Sequence, residues 1–425
     1  MKKPTKSKPR RQPRSPRVKR RSRTAPVAQV LDIGQQIRES LLEEIRGAVA
    51  AAAHQLVEDE VVALVGERWS GKGDSPLRRN GHTTTTVLLD GEPHLLRRAR
   101  VRDQDVGSEH PLQTLRALRS RDALDEEVRE RLIRGVSTRN YEDALTSLSD
   151  GLGLKKSAVS SAFQRASRKD LDAINGRSLA EWSFAAIYID GTGFAEHTAV
   201  VALGVEQDGT KRVLGCVEGA SENAPVVCGL LENLVERGLD TTTSVLFVID
   251  GSKALRKAVA DVFGKRAVVQ RCLIHKLRNV LSYLPPARHA EARRRLHAAW
   301  NLVAHDEART ELAKVQRWLA SVSESAAASL AEAFEETLTV HRLGITGALR
   351  KTLMSTNPIE SVIEIVKANS SRVKRWNGSA MVLRWMGTGL VKAESQFRRV
   401  KGHRQMPQLV TALENLSLSE GKDVA

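Results

Sequence analysis

Two short apolar runs in this chain each end in the dipeptide Asp-Gly, and this repeated arrangement constrains the fold more than any other feature. The first run ends at Asp190 and the second at Asp250. Apolar runs of strand length that end in Asp-Gly are typical of buried β-strands. We therefore expect each aspartate where a strand ends at the edge of a sheet, and two such ends can place two carboxylates side by side.

The pattern around the two runs is that of an α/β domain. It predicts strands over 184–189, 198–206, 211–217, 245–249 and 267–269, with helices over 224–237 and 253–263. Three antiparallel strands, then a helix, then parallel strands is the order of an RNase H-like fold. Residues 287–340 carry no strand signal and predict an α-helical insertion, and residues 355–400 predict closing helices.

A third carboxylate is expected from a helix start. Asn357 precedes Pro358, which favours a helix that begins there and has Glu360 in its first turn. Phosphoryl transfer needs hard oxygen ligands from separate elements, because two Mg²⁺ ions bracket the attacking and leaving oxygens. Asp190, Asp250 and Glu360 would supply them, with Mg²⁺ as the cofactor and Mn²⁺ as a substitute. Glu364 is the alternative third ligand.

Simpler interpretations exist for each of these carboxylates. A single aspartate after a strand is more often a turn or capping residue, and Glu360 alone could interact with a helix dipole. The shared Ile-Asp-Gly context of the two aspartates favours the functional interpretation.

The charge of the chain indicates a phosphate-bearing partner. Its formal net charge is +17 and its pI is about 10.1, which fits a nucleic-acid binder. Residues 1–25 contain twelve Lys or Arg and no acid, and predict a disordered basic tail; a solubilising leader is the alternative. The rest of the chain carries a net charge of only +5. The assignment of a nucleic-acid partner therefore needs support from sequence motifs as well as from charge.

The cysteine and apolar content of the chain indicate its cellular compartment. Three cysteines are too few for a disulfide framework and fit a reducing compartment. No run approaches the roughly 20 apolar residues of a membrane helix, and no apolar signal core follows the basic N-terminus.

The N-terminal region predicts DNA contacts on two elements. Residues 71–110 are rich in turn signals and predict a basic β-hairpin, with Arg78 and Arg79 as candidate contacts; a solvated strand face is the alternative. Residues 136–165 resemble a helix-turn-helix around Gly153, and plain helix packing is the alternative. The candidate groove-facing residues are Lys155, Lys156, Ser160, Gln164 and Arg165.

A Cys-x-x-His motif follows the fifth predicted strand. Cys272 and His275 have the spacing of half a zinc site, but no second pair with suitable spacing follows. The motif therefore favours a structural or site-adjacent role. Further candidate DNA contacts near the carboxylates are Lys276, Arg278, Arg372 and Lys374.

The motifs together resemble a known family. In chain order they are Asp190-Gly-Thr, Glu218-Gly-Ala-Ser-Glu-Asn, Glu236-Arg-Gly-Leu, Val248-Ile-Asp-Gly, Gln270-Arg-Cys-Leu-Ile-His-Lys and Ser355-Thr-Asn-Pro-Ile-Glu-Ser. This series resembles the bacterial insertion-sequence transposases of the Mutator-like class (IS256-type) from about residue 40 to 410. The family's usual Pro-Arg-Asp-Arg stretch is replaced by a sequence without its proline at residues 98–103, and the long basic leader is not a family hallmark.

The resemblance implies a DDE transposase with Asp190, Asp250 and Glu360 as metal ligands. It implies an RNase H-like core interrupted by a helical insertion, preceded by mostly helical DNA-binding domains that bind terminal inverted repeats. The expected partners are double-stranded DNA, both element ends and target, and at least a second copy of the chain. The expected location is the bacterial cytoplasm, at the nucleoid. A silent DNA-binding regulator and a structure-specific nuclease are the alternative functions.

The predicted organisation has seven parts. They are a basic tail (1–25), a helical region with a β-hairpin (26–110), a helix-turn-helix region (111–180), the first part of the core (181–285), the helical insertion (286–345), the closing helices (346–405) and a C-terminal tail (406–425).

Overall fold

The computed structural model describes residues 25–68, 75–89, 92–119, 122–134, 156–219 and 223–422. The chain divides into two compact units, Met1–Ser120 and Arg121–Ala425. Almost all of the predicted basic tail lies outside the described residues, as do the first helix and the turn of the predicted helix-turn-helix. The finer domain bounds expected from the sequence stay predictions.

The first unit joins a long helix to a β-hairpin. Its elements are α1 (Ala25–Val65), β1 (Leu77–Leu89), β2 (Glu92–Asp103) and α2 (Gln113–Leu118). The two strands are antiparallel, with a register shift between Arg79 and His82, where Gly81 has a φ of +70°. Val57 and Val61, one turn apart on α1, pack against Val101 of the hairpin. A hairpin therefore lies where the turn signals predicted one.

The second unit is built on a five-stranded mixed sheet. Its strands are β3 (Phe184–Phe194), β4 (His197–Glu206), β5 (Lys211–Gly219), β6 (Val245–Ile249) and β7 (Ala267–Arg271). Their order in the sheet is β5-β4-β3-β6-β7. The first three strands pair antiparallel, and β6 and β7 continue the sheet in parallel with β3. Three antiparallel strands followed along the chain by two parallel ones is the arrangement that the sequence predicts.

Helices cover both faces of the sheet. Alternate residues of its central strands point to opposite faces, and each face packs in a separate hydrophobic core. Ile187 and Ile189 of β3 pack with α5 (Ala224–Glu236) and α6 (Lys253–Phe263). Ala186 and Tyr188 belong to the opposite core. That core includes residues of α4 (Lys156–Gly176) and α7 (Leu273–Ser282). Burial on both faces explains the uninterrupted apolar sequence of β6.

A helical segment separates α7 from the closing helices. It contains α8 (Pro286–Asn301), α9 (His305–Val322), α10 (Glu324–Ala331), α11 (Thr339–Arg342) and α12 (Gly347–Leu353). No strand occurs between residues 286 and 353, all of which the structure describes. The segment predicted to be helical, 287–340, is therefore helical, and its role as an insertion stays a prediction.

The closing helices pack against the start of the unit. They are α13 (Asn357–Ser370), α14 (Ser379–Glu394) and α15 (Met406–Lys422), and α3 (Asp122–Arg134) lies beside α4. Gly387 of α14 allows a close approach to α4, since a Cβ there would lie 2.8 Å from the Cα of Leu171. Buried Val159 and Phe163 place one face of α4 in the core of the unit.

Strand β3 differs from its predicted end. The sequence predicts that β3 ends at Asp190, but the strand continues to Phe194. The reason is that β4 continues to pair with β3 beyond Asp190, up to the pair Phe194 and His197, whereas the pairing with β6 stops at Ile189. At Asp190, β3 is therefore still paired with β4 but no longer with β6.

Among the described residues, none of the helices is both long enough and apolar enough to span a membrane.

Candidate active site

The register of the sheet brings the two aspartates together. Ile189 of β3 is paired with Ile249 of β6, and each is followed directly by an aspartate. Because the strands are parallel, Asp190 and Asp250 leave the paired region at the same edge. Asp190 is only 8% exposed, whereas Asp250 is half-buried.

Backbone groups hold both aspartates. The Gly191 N–H donates to Asp190 Oδ1 over 2.9 Å, and the Ser252 N–H donates to Asp250 Oδ1 over 2.8 Å. Ser252 also accepts a hydrogen bond from the Leu255 N–H at the start of α6. Each aspartate therefore keeps a second carboxylate oxygen, to which the described residues give no hydrogen-bond donor.

Glu360 enters from a third element. Helix α13 begins at Asn357, with Pro358 and Glu360 in its first turn, as the sequence predicts. Its N-cap residue is Thr356, one residue before the predicted start. Glu364 is exposed one turn further along. We call Asp190, Asp250 and Glu360 the carboxylate cluster.

The members of the carboxylate cluster interact electrostatically. Burial and, after it, the negative charges of Asp250 and Glu360 together raise the pKa of Asp190 to about 7, against the opposing effect of His275. Asp250 and Glu360 are among the groups with the largest effects on the pKa of Asp190, and Glu364 is not one of these. The structure thus brings Asp250 and Glu360 within electrostatic range of Asp190, and the choice of Glu360 as the third metal ligand stays a prediction.

Cys272 and His275 lie beside Glu360. Cys272 follows β7 directly, and His275 lies in the first turn of α7. The His275 Nε2 is 3.7 Å from Glu360 Oε1. Its hydrogen bond with Cys272 raises the pKa of His275 to about 9, which burial opposes. Burial raises the pKa of the Cys272 thiol, but hydrogen bonds with His275 and Thr356 lower it overall.

The Thr356 hydroxyl contacts all three of these side chains. Within the described residues, Cys272, His275 and Glu360 form the one group whose possible metal-binding atoms lie within 4.8 Å of one another. The Thr356 Oγ1 is 3.3 Å from the Cys272 Sγ, 3.3 Å from His275 Nδ1 and 2.6 Å from Glu360 Oε1. Hydrogen bonds to this hydroxyl connect the group beside the carboxylate cluster, and the structural or site-adjacent role of the Cys-x-x-His motif stays a prediction.

Sequence reasoning missed Thr356. Its available signals were its place directly before the Asn-Pro helix start and its spacing of four from Glu360. A threonine at an N-cap normally accepts from the helix backbone, but the Thr356 side chain makes no capping hydrogen bond.

The chain matches the family model described as Transposase, Mutator family, over residues 23–400. It belongs to the Mutator family of transposases. The resemblance found in the sequence motifs is thereby confirmed, including its IS256-type relatives.

Three relatives show the extent of the similarity. The transposase for insertion sequence element ISRM5 of Rhizobium meliloti (strain 1021) is 27% identical over 92% of this chain and 97% of its own length. The transposase for insertion sequence element IS6120 of Mycolicibacterium smegmatis is 26% identical over 57% of this chain and 75% of its own. The transposase for insertion sequence element IS256 in transposon Tn4001 of Staphylococcus aureus is 24% identical over 75% of this chain and 82% of its own.

One solved structure, titled Drosophila P element transposase strand transfer complex, covers 72% of this chain and 85% of its own. It has 8% identity to this chain and a TM-score of 0.27.

Several side chains that were predicted to contact DNA form hydrogen bonds or ion pairs within this Mutator-family transposase. Lys276 is only 2% exposed, and its ammonium donates to the Ser329 carbonyl oxygen and to Glu332. The prediction for Lys276 is therefore wrong for this conformation, because its side chain crosses to α10 instead of reaching solvent. Arg79 pairs with Glu58, Arg165 pairs with Asp125, and Arg78 donates to the carbonyl oxygens of Ser75 and Leu77.

The other predicted contacts lie on accessible surfaces or outside the described residues. Lys156, Gln164, Arg278 and Lys374 are exposed, and Ser160 and Arg372 are half-buried. Lys155 lies outside the described residues, so the helix-turn-helix prediction stays a prediction.

Proposed function

We propose that this Mutator-family transposase is a DDE enzyme that cleaves DNA at the ends of an element and transfers the cut strands to new DNA. The observation that carries the proposal is the convergence of Asp190, Asp250 and Glu360 from β3, β6 and α13 at one edge of the sheet. The β5-β4-β3-β6-β7 strand order further supports an RNase H-like core, interrupted by the helical insertion before Glu360.

The carboxylate cluster fits divalent cations with hard oxygen ligands. Burial and the charges of the other two members raise the pKa of Asp190, so a cation between the carboxylates would relieve their repulsion. The second oxygens of Asp190 and Asp250 remain available as ligands. Bound Mg²⁺, or Mn²⁺ in its place, would activate the attacking hydroxyl and stabilise the leaving 3′ oxygen.

The residues around the cluster have supporting roles in this proposal. His275 brings positive charge close to Glu360, which favours the ionised forms of the carboxylates that must bind metal. Arg271 donates to the carbonyl oxygen of Asp250 over 3.0 Å and so holds the backbone at that ligand.

The proposed partners are double-stranded DNA and further copies of the chain. The net charge of +17 supports a polyanionic partner, and two element ends must be held by at least a dimer if they are cut and joined together. Terminal inverted repeats would be bound by the first unit and by the exposed face of α4, which carries Lys156 and Gln164.

The deciding experiment is in vitro cleavage and joining of DNA that carries the element ends, with Mg²⁺. We expect metal-dependent cleavage and joining by the wild type, loss of both in Asp250→Ala with DNA binding retained, and wild-type behaviour of Asp306→Ala. Asp306 is the matched control because its side chain is 99% exposed in the helical segment. DNA binding without chemistry in the wild type would instead indicate a regulator, and cleavage without joining would indicate a nuclease.

A further inference from the structure

A basic cleft opens beside Glu360. It has a volume of about 710 Å³ and is lined in part by the first turns of α13. Five cationic side chains from three parts of the second unit line it, namely Lys211, Lys351, Arg398, Arg399 and Lys401. None of them was singled out in the sequence, because they become neighbours only in the folded unit. Cationic walls around an open cleft concentrate anions there.

The backbone that carries three of these cations is held on two sides. The Val400 N–H donates to the Gly209 carbonyl oxygen over 3.0 Å, and the Thr352 hydroxyl donates to the Lys401 carbonyl oxygen over 2.9 Å. Gly402 has a φ of +84°, and a Cβ there would lie 2.2 Å from the backbone nitrogen of Leu349. The segment from 398 to 401 is therefore fixed between the β4–β5 turn and α12.

The cations themselves remain largely available. Lys351, Arg398 and Lys401 are exposed, and no carboxylate within the described residues forms an ion pair with them. Arg399 pairs with Asp208 at the surface over 2.9 Å, and Lys211 lies over the ring of Phe397 at 4.4 Å. A fixed backbone with unpaired cationic side chains is suited to binding an anionic ligand rather than to holding the fold together.

We propose that this cleft binds the phosphate backbone of the DNA strand that is cut, through Lys351, Arg398 and Lys401, and directs it to Glu360. This inference rests on the proposed function. Cations on separate elements along an open cleft suit successive phosphates of a strand better than a single phosphate group.

The test compares the salt dependence of binding to a single-stranded oligonucleotide. All proteins carry Asp250→Asn, so that no cleavage occurs. Neutralising two phosphate contacts in Lys351→Ala/Lys401→Ala should lower the slope of log K against log salt by about 1.4, because each contact to a single strand contributes about 0.7. The control Arg293→Ala/Arg294→Ala removes two exposed charges from α8, outside the cleft, and should keep the parent slope.

Two outcomes would overturn the inference. One is an equal slope in the cleft variant and the parent protein. The other is a mononucleotide or inorganic phosphate that competes for the cleft as well as the oligonucleotide does, since that would indicate a small-anion site. Because the readout is binding alone, cleavage of element ends by the wild type would still support the proposed function if the cleft assignment failed.

A second observation, independent of the cleft, concerns Thr356. This residue is completely buried, and its hydroxyl has a single proton. The shortest contact is to Glu360 Oε1, at 2.6 Å, so the proton is donated there. The Thr356 N–H donates to the Cys272 Sγ over 3.4 Å, and the threonine oxygen lies 3.3 Å from that sulfur and 3.3 Å from His275 Nδ1, from which it can accept.

We infer that Thr356 is a positioning residue that fixes the carboxylate of Glu360, and that the Cys-x-x-His motif holds Thr356. Outer-shell hydrogen bonds of this kind orient metal ligands, and their loss typically lowers metal affinity about 10–100-fold. This role assigns a physical purpose to Cys272 and His275 that does not require either of them to bind the metal.

The variants Thr356→Val and Thr356→Ser separate the hydroxyl from the shape of the side chain. Thr356→Val should raise the Mg²⁺ concentration for half-maximal cleavage about 10–100-fold, and Thr356→Ser should restore it. Cutting of the protein backbone near residue 360 by Fe²⁺ with ascorbate and peroxide is a readout that does not depend on DNA cleavage. This cutting should be weaker in Thr356→Val than in the wild type, and unchanged in Thr356→Ser.

The matched control is Thr388→Val. Thr388 is 1% exposed, and its hydroxyl donates to Asp170 over 2.8 Å away from the cluster. An unchanged Mg²⁺ requirement in Thr356→Val, or an equal change in Thr388→Val, would contradict the positioning role. Fe²⁺ cutting near residue 360 in the wild type without DNA cleavage would separate a failure of the proposed function from a failure of this inference.

Discussion

Two groups of ionisable side chains lie at the same end of the parallel strands, and they are built in opposite ways. The carboxylate cluster gathers like charges around Asp190. Beside it lies a group that we call the paired network, formed by Arg271, Lys276, Glu332 and Glu336. In the paired network Arg271 contacts both glutamates, over 2.8 and 2.6 Å, and Lys276 contacts Glu332 over 2.6 Å.

The comparison of the two groups distinguishes charged side chains that stabilise the fold from charged side chains that are suited to binding a ligand. The paired network joins the sheet and α7 to the helical segment near α10, and each of its two deeply buried cations faces a carboxylate. Such pairs are costly to break because removal of one partner leaves a buried charge uncompensated. The carboxylate cluster instead retains a repulsion between like charges that an added cation would relieve, as is common at functional sites. The predictions below test this difference.

The largest expected effect is on activity. Glu360→Gln should lower Mg²⁺-dependent cleavage by about 1,000-fold, because a metal site contributes several kcal/mol and each tenfold in rate is about 1.4 kcal/mol. The folded state should be no less stable, since a negative charge is removed from the cluster. Glu364→Gln should show a much smaller loss in cleavage rates measured side by side. Equal losses in the two variants would reassign the third ligand.

Breaking the paired network should act on stability instead. Lys276→Met should lower the free energy of unfolding by about 2 kcal/mol, because the Ser329 carbonyl oxygen and Glu332 lose a buried donor, while Glu332 keeps its ion pair with Arg271. Urea denaturation measures the change. Adding Glu332→Gln should change it little further, because Glu332 is 38% exposed and Arg271 still pairs with Glu336. A Lys276→Met protein as stable as the wild type would show that the network is not structural.

The raised pKa of Asp190, which results from burial and from the neighbouring carboxylates, should appear as a pH dependence of stability. The pKa of this carboxyl is about 7 in the folded protein against 3.8 for the free group, so the folded state binds the extra proton between these values. Stability should therefore fall as pH rises from about 4 to 7.

Asp190→Asn removes this titratable carboxyl. Without metal, it should stabilise the protein on the order of 2 kcal/mol at pH 8 and have little effect at pH 4. Thermal unfolding at both pH values, with Asp306→Asn as the exposed control, tests this. Equal stabilisation at the two pH values would argue against a raised pKa.

Exposed pairs on the same helical segment should contribute least. Arg288 contacts Glu291 over 3.1 Å, and the arginine side chain is 52% exposed. Arg288→Ala should change the free energy of unfolding by no more than about 0.5 kcal/mol, since exposed pairs gain little over hydration. A loss comparable with that of Lys276→Met would remove the distinction between buried and exposed pairs.

Local patterns in the sequence predicted much of this architecture. The bounds of β6 and α6 are as predicted, because an apolar run and a serine N-cap are signals contained within a few residues. The predicted start of α13 differs from the observed start by one residue, because the Asn-Pro pair is also a local signal. The continuation of β3 to Phe194 was missed because it depends on pairing with β4, which is not a local property.

The sequence by itself determined which residues could form the carboxylate cluster, since two strand ends and one helix start each position a carboxylate locally. Only the tertiary structure decided how their neighbours are used. It buried Lys276 against Glu332, placed Thr356 between Glu360 and the Cys-x-x-His motif, and assembled the basic cleft from three elements. Except for the contact of Thr356 with Glu360, these contacts join residues that are tens to hundreds of positions apart, so they depend on strand register and helix packing, which no local pattern contains.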